Sequence, residues 1–493
     1  MDNIIDYITD YTPTLTLYNQ AIEKVPCIRF LGVIFDSLRI LGHHTWGADT
    51  GILLSVYKSL VRSRLEYGLI TYGACRKTTR EPIEVLQRAA LRIILGAYRT
   101  TPSDSLYVLS REMPLQLRFE QLTLNYAAQI YSQPSHPNHS LLYPPLETVP
   151  KHTKLPFMPI AERIHLFLQR HSLSFPPSFY KPELRIPPWS IPSPNILFDL
   201  ATYSKSVTNL SIVSQEFCRL RSKYPTATFL YTDGSKISGA LGAAVHTSTR
   251  ELKIKLPPYG SIFCAELAGL LEAVQLALRH VDGNFIICSD SLSALQAMQH
   301  RYSTNPLVQK IAEERKTALL LNKEPMFMYT PSHVGITGNG RADELAKSAA
   351  LDAALPETNY GLSTDWKSII KSAVINTWQS QWDLDSSHLH RITPSVNQDL
   401  HLSLDRRSQV ILSRLRLGHT PLTHSYLLNQ EDRPLCIFCQ QSDLTITHIL
   451  RDCPALINSR KACQVNCGNY SMLFEDWFKL KSFLRSIKLI NNL

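Results

Sequence analysis

Phe229-Leu-Tyr-Thr-Asp-Gly-Ser235 is a run of β-formers that stops on an acid, a glycine and a serine. Phenylalanine, leucine, tyrosine and threonine suit a pleated, half-buried surface, so the run predicts a strand over 227–232 with Asp233 at its C-terminal edge. Gly234 tolerates a positive φ, and taken alone the Asp-Gly pair reads as the start of a turn. The chain that follows gives Asp233 a second reading.

Strands are expected over 240–247 and 251–256, joined by short polar or glycine-bearing turns, which makes an antiparallel meander with the first. Apolar residues at helical spacing then predict a helix over 264–280, a buried strand over 284–288, helices over 291–299 and 307–321, a strand over 326–330 and a last helix over 341–350. The expected fold class is α/β, a mixed five-stranded sheet with flanking helices.

Four acids fall at corresponding edges of this unit. Asp233 ends the first strand and Asp290 follows the fourth, so parallel neighbours would bring both carboxylates to one sheet edge. Glu266 and Asp343 are expected in the first turns of their helices, leaning toward the same point. Taken singly, Glu266 and Asp343 also read as N-terminal helix charges and Asp290 as an N-cap. Four converging carboxylates repel one another unless cations neutralise them. Hard oxygen ligands suit Mg²⁺ or Mn²⁺, and two such ions serve phosphodiester hydrolysis.

The motifs Tyr231-Thr-Asp-Gly-Ser235, Ala265-Glu-Leu-Ala-Gly-Leu270, Ser289-Asp-Ser291, Thr330-Pro-Ser-His-Val-Gly-Ile-Thr-Gly-Asn339 and Ala342-Asp-Glu-Leu-Ala346 resemble type 1 ribonuclease H across 226–352. The resemblance implies catalytic and metal-binding roles for Asp233, Glu266, Asp290 and Asp343. It also implies a proton-transfer or product-release role for His333, and imidazole suits proton transfer near neutral pH. The implied substrate is the RNA strand of an RNA/DNA hybrid, told from DNA through its 2′-hydroxyls. Gly340 departs from the pattern, standing where the family carries an acid; the expectation is an altered rate or metal affinity. A non-catalytic nucleic-acid-binding protein with a degenerate nuclease site is the alternative.

Upstream, helices are expected over 52–67 and 83–97, the second with Arg88 and Arg92 one turn apart on a face that is either solvated or phosphate-gripping. A strand is expected over 26–36. Phe30-Leu-Gly-Val-Ile-Phe-Asp36, Leu65-Glu-Tyr-Gly68, Gln87-Arg-Ala-Ala-Leu-Arg92, Gly96-Ala-Tyr-Arg-Thr-Thr-Pro102 and Pro114-Leu-Gln-Leu-Arg118 resemble the post-palm and thumb region of jockey-type non-LTR retrotransposon reverse transcriptases. The paired palm aspartates of that family have no counterpart in this sequence, so a truncated polyprotein without polymerase activity is expected. Of the 30 prolines, 14 fall between 133 and 198, a density that argues for an extended linker over 133–225 with a short helix near 160–169.

Downstream, a helix over 365–385 places Trp378 and Trp382 on one face, for core packing rather than base stacking. Arg406, Arg407, Arg414 and Arg416 fit either a nucleic-acid backbone or a solvated face. Cys436 and Cys439, then His448 and Cys453, have the count and the short paired spacings of a tetrahedral structural zinc site, against a reading as buried unliganded thiols. The segment 445–454 also resembles the part that follows the nuclease in the same retroelements. The remaining cysteines are scattered and fit reduced thiols.

The expected division is a thumb-like region over 1–132, the linker, the nuclease over 226–352, a helical tail over 353–430 and the zinc module with a C-terminal helix over 431–493. Lys+Arg against Asp+Glu runs 24 to 17 over 1–225, 12 to 11 over 226–350 and 15 to 13 over 351–493, which puts the basic excess beside the nuclease, as an accessory polyanion surface would require. Single- or double-stranded nucleic acid is therefore a further expected partner. With no long apolar run and an acidic N-terminus, the reading is an intracellular protein, nuclear or cytoplasmic, neither secreted nor membrane-bound.

Overall fold

A computed structural model describes residues 16–17, 20–21, 37–142, 158–176, 178–182, 184–203, 209–280, 283–465 and 472–493. The strand expected over 26–36 lies outside them. Two compact units emerge, one made of 1–124, 150–171 and 372–493, the other of 125–149 and 172–371. No helix among the described residues is long and apolar enough to cross a membrane.

The second unit is built on a sheet of β1 (Ile196–Leu197), β2 (Ala227–Ile237), β3 (Ala240–His246), β4 (Glu251–Leu256), β5 (Asn284–Ser289) and β6 (Met326–Tyr329), in the order β1-β6-β5-β2-β3-β4. The meander β2-β3-β4 is antiparallel, whereas β2, β5, β6 and β1 run parallel. The sheet thus has six strands where five were expected. The added one is a two-residue edge segment from the proline-rich stretch, too short for any periodicity to reveal it. That stretch also supplies α1 (Leu210–Ser222), whose Val213, Phe217 and Leu220 pack into the same core as the sheet.

Helices α2 (Ile262–Arg279), α3 (Leu292–Gln299), α4 (Pro306–Leu320) and α5 (Thr337–Leu351) complete the unit. α2 is apolar nearly all round and buries twelve of its residues, as a helix enclosed by protein must. α5 lies on β2 and β3 through small residues: a Cβ on Gly338 would fall 2.2 Å from the Tyr231 ring, and one on Gly242 would fall 2.5 Å from the Ala346 carbonyl oxygen.

The strand carrying Asp233 does not end at the Asp-Gly pair. β2 continues to Ile237, and the hairpin turns at Ser238 and Gly239, both with positive φ (50° and 85°), as a two-residue loop closed by the pair Ile237 and Ala240. Gly234 is needed for a different reason: a Cβ there would sit 2.8 Å from the Glu266 amide nitrogen and 3.0 Å from the Ala265 Cβ.

In the first unit a helical run over 50–66 contains one π-helical stretch, Tyr57–Arg62, and is followed by the helix Lys77–Leu95. The helix Ile160–Arg170 stands where a short one was expected. Trp378 and Trp382 are buried in the helix Ser363–Trp382, and the Trp382 indole donates to the Thr393 carbonyl, so core packing is their role.

The arginines of the helix Arg406–Leu417 correct the reading as a nucleic-acid surface. Arg406 is 5% exposed and donates to the carbonyls of Gly42, His43, Ile93 and Ile94 and to the Thr50 hydroxyl. It thereby adds a side-chain donor to the end of Lys77–Leu95, where the Gly96 amide already closes back on Ile93. Arg416 is buried against the carbonyls of Leu400 and Phe474, and Arg414 donates to those of Gly96 and Leu493. Burial lowers Arg406 and Arg416 to about 10. Arg407 alone of the four is exposed, and it donates to Asn491. Arg88 and Arg92 are not a free basic face either: Arg88 pairs with Glu81 and Glu84, and Arg92 donates to the Thr101 carbonyl.

Candidate metal centres and the acidic cleft

Thr232 on β2 is paired with Ser289, the last residue of β5. The next residues on the two parallel strands are Asp233 and Asp290, so both carboxylates leave the sheet side by side. α2 is drawn close by the bare Cα of Gly234, which sets Glu266 against them. Asp233, Glu266 and Asp290 each offer an oxygen within 4.8 Å of the others. Asp343 stands outside that mutual set but lines the same open cleft of about 440 Å³, together with His333, Asn339, Gly340 and Ile262.

Two placements and one alternative reading differ in detail from the expectation. Because α2 begins at Ile262 and α5 at Thr337, Glu266 and Asp343 sit in second turns, not first ones. Asp290 is not an N-cap: Ser291 caps α3, its hydroxyl accepting from the Ala294 amide.

The electrostatics of the cleft follow from burial of like charges. Burial first, and then the charges of Asp290 and Asp343, push the Asp233 carboxyl up to about 8. Glu266 is pushed well above the ordinary carboxylate range by burial, with Asp290 and Asp233 adding to it. Its Oε2 is buried and has no hydrogen-bond partner. An orphaned buried carboxylate oxygen facing two other acids fits a hard divalent cation, which would meet all three with oxygen ligands.

His333 is exposed at the rim, in left-handed backbone (φ 59°), within a loop held at its ends by a Thr330 hydroxyl to Asn339 contact of 3.4 Å. Gly340 is exposed in α5, and a Cβ there would meet nothing within 4 Å. The space that an acid would occupy is open.

Lys347 and Ile262 are cleft neighbours that the sequence reading missed. Lys347 Nζ lies 2.7 Å from Asp343 Oδ2, four residues along α5. The i,i+4 spacing of an acid and a lysine was a visible signal for that pair. Ile262, half exposed at the start of α2, carried none.

In the first unit, Cys436, Cys439, His448 and Cys453 bring their ligand atoms within 4.8 Å of one another. Cys436 Sγ and Cys453 Sγ are 3.8 Å apart, and Cys439 Sγ is 3.3 Å from His448 Nε2. Two thiolates at tetrahedral positions about zinc, each with a bond of about 2.3 Å, stand about 3.8 Å apart, so the cage fits that ion. The turn carrying Cys436 and Cys439 is fixed by backbone bonds from Cys436 to Ser442 and from Gln440 to Cys436. Cys436 and Cys453 belong to a buried cluster with Leu415, Ile449 and Phe483.

Residues 225–351 match the family model described as RNase H. The six-stranded sheet with its flanking helices agrees with an RNase H-like fold, and at family level the match is to nucleases acting on RNA/DNA hybrids. No curated protein matches the chain.

Proposed function

We propose that this chain is a divalent-metal-dependent endonuclease that cuts the RNA strand of RNA/DNA hybrids. The observation that carries the reading is the unpartnered, buried Glu266 oxygen facing Asp233 and Asp290 in a fold of this kind. Asp233, Glu266 and Asp290 would hold one Mg²⁺ or Mn²⁺ ion, and Asp343 with Asp233 would hold a second. Bound there, such ions activate water and stabilise the leaving oxygen in phosphodiester cleavage.

The protein's own contribution is positional. Adjacent parallel strands fix the separation of Asp233 and Asp290, the Gly234 contact fixes Glu266, and the small-residue face of α5 brings Asp343 over the sheet. His333, exposed on its tethered loop, is placed to carry a proton to or from the departing product. Cys436, Cys439, His448 and Cys453 hold a structural zinc with no open position for chemistry. The motifs of the N-terminal region favour an origin in a non-LTR retroelement.

The test is cleavage of a labelled hybrid by the purified chain while Mg²⁺ and Mn²⁺ are titrated. Internal cuts confined to the RNA strand and dependent on the metal are expected. Hybrid binding without cleavage at any concentration of either ion would favour a binding protein, and cleavage of duplex DNA in preference would favour a different nuclease.

A pH dependence follows from Asp233. Its folded pKa lies above the unfolded value of 3.8, so in the ion-free protein its contribution to stability is present below that value and is lost as pH rises through about 8. A divalent ion selects the ionised form and reverses the trend. The rise in Tm on saturation with Mg²⁺ should therefore be larger at about pH 9 than at about pH 6. Equal increments at both would contradict the assignment of Asp233 as a ligand.

A further inference from the structure

The helix Trp477–Ser486 has two unlike faces. Trp477, Leu480, Phe483 and Leu484 are buried in the cluster that also holds Cys436 and Cys453. Phe478, Lys479, Ser482, Arg485 and Ser486 are exposed, and at about 3.6 residues per turn they share one side of the helix. Phe478 is 80% exposed and borders a hollow of about 530 Å³ together with Leu404, Met472 and Trp477.

From 477 to 493 the chain carries four cations and no acid. Two are engaged: Lys479 with Asp476, which caps the helix, and Lys481 with Asp405 and the Trp477 ring. Among the described residues no carboxylate pairs with Arg485 or with Lys488, exposed just beyond the helix. A further exposed cation, Lys461, is carried by the helix Ile457–Ala462, whose end reaches the same side: Cys463 Sγ lies 3.9 Å from Ser486 Oγ. A cation in the last turn suits the helix dipole, which accounts for Arg485. It does not account for a phenylalanine left in solvent two turns away on the same side.

We propose that this side of Trp477–Ser486 binds single-stranded nucleic acid, with Phe478 stacking on an unpaired base and Arg485, Lys488 and Lys461 meeting phosphates. The charge is complementary, and an unpaired base offers an exposed ring a flat face that a duplex keeps inside its stack. An anionic membrane fits less well, because a helix lying in a lipid surface needs its apolar face free and here that face is turned into the protein. The surface uses none of the residues of the acidic cleft, so it stands or falls separately from the nuclease reading.

Fluorescence anisotropy of the full-length chain with labelled oligo(dT) and oligo(U), with no divalent ion added, tests this. In that state the carboxylates of the cleft do not attract phosphates, so the readout is separate from cleavage. Phe478→Ala should weaken binding about five- to a hundredfold without altering its salt dependence, and Phe478→Tyr, which keeps a ring, should stay within about twofold of wild type. Arg485→Gln with Lys488→Gln should lower the slope of log K against log salt by about 1.4, at about 0.7 per phosphate on a single strand. Binding of duplex DNA of the same length should be insensitive to Phe478→Ala. A wild-type chain that binds neither oligonucleotide, unchanged affinity in both variants, or equal losses on duplex and single strand overturns the inference. So does loss of binding to phosphatidylserine vesicles in these variants with oligonucleotide affinity unchanged.

Discussion

Asp233→Asn is expected to lower hybrid cleavage by at least about a thousandfold while raising the stability of the ion-free protein. The first effect follows from position: Asp233 is the acid shared by both proposed ions. Removing its charge weakens both sites at once, and a thousandfold loss corresponds to about 4 kcal/mol of transition-state stabilisation. The second follows from the cost of ionising a buried carboxyl beside Asp290 and Asp343. Asparagine keeps the shape and removes that repulsion, so ion-free Tm at neutral pH should rise, with a gain of order 1–2 kcal/mol after allowance for screening. The combination separates loss of chemistry from loss of fold. Wild-type cleavage by the purified variant would end the assignment, and a lowered Tm would show that Asp233 supports the fold rather than the ions.

Removal of the proposed zinc is expected to collapse the buried cluster around the cysteine cage. Cys436 and Cys453 are part of that cluster, with Leu415, Ile449, Trp477 and Phe483, and Arg460 donates to the Cys453 and Ile449 carbonyls. Without an ion, three thiols and a histidine must be kept close together inside that apolar cluster with no ligand bond to hold them. Metal binding then contributes directly to folding, and Cys453→Ser or a strong chelator should cost more than about 3 kcal/mol. Thermal unfolding with and without chelator, alongside zinc content by atomic emission, measures it. A chain purified without zinc yet cooperatively folded in the first unit would contradict the prediction.

How much of this was legible depended on whether a signal was local. The strands and helices of the nuclease unit stood out because their apolar periods differ, and the four acids because each sits next to a period change. The cage of three cysteines and a histidine stood out through spacing alone. Gly234 was legible as a glycine but not for its purpose: Asp-Gly is a turn signal in the chain, whereas the need for a bare Cα comes from α2, some thirty residues on. The Arg406 side chain was the hardest to read. Arginines at 406, 407, 414 and 416 look alike in sequence, and only carbonyls elsewhere in the chain, those of Gly42, His43, Ile93 and Ile94 for Arg406 and those of Leu400 and Phe474 for Arg416, decide which are buried. The two-residue β1 exists because β6 offers a free edge, and nothing in Ile196–Leu197 announces that.

The Arg406 clamp also imposes a timetable on the chain's birth. Its partner carbonyl on Ile94 is separated from it by 312 residues. At a synthesis rate of about 5–20 residues per second, the end of the helix Lys77–Leu95 waits roughly 15–60 s for its guanidinium to emerge. The whole of 172–371 is made in the interval. A nascent chain can therefore carry a finished nuclease fold before the guanidinium reaches that earlier helix, whose end until then is closed only by its own Gly96 cap.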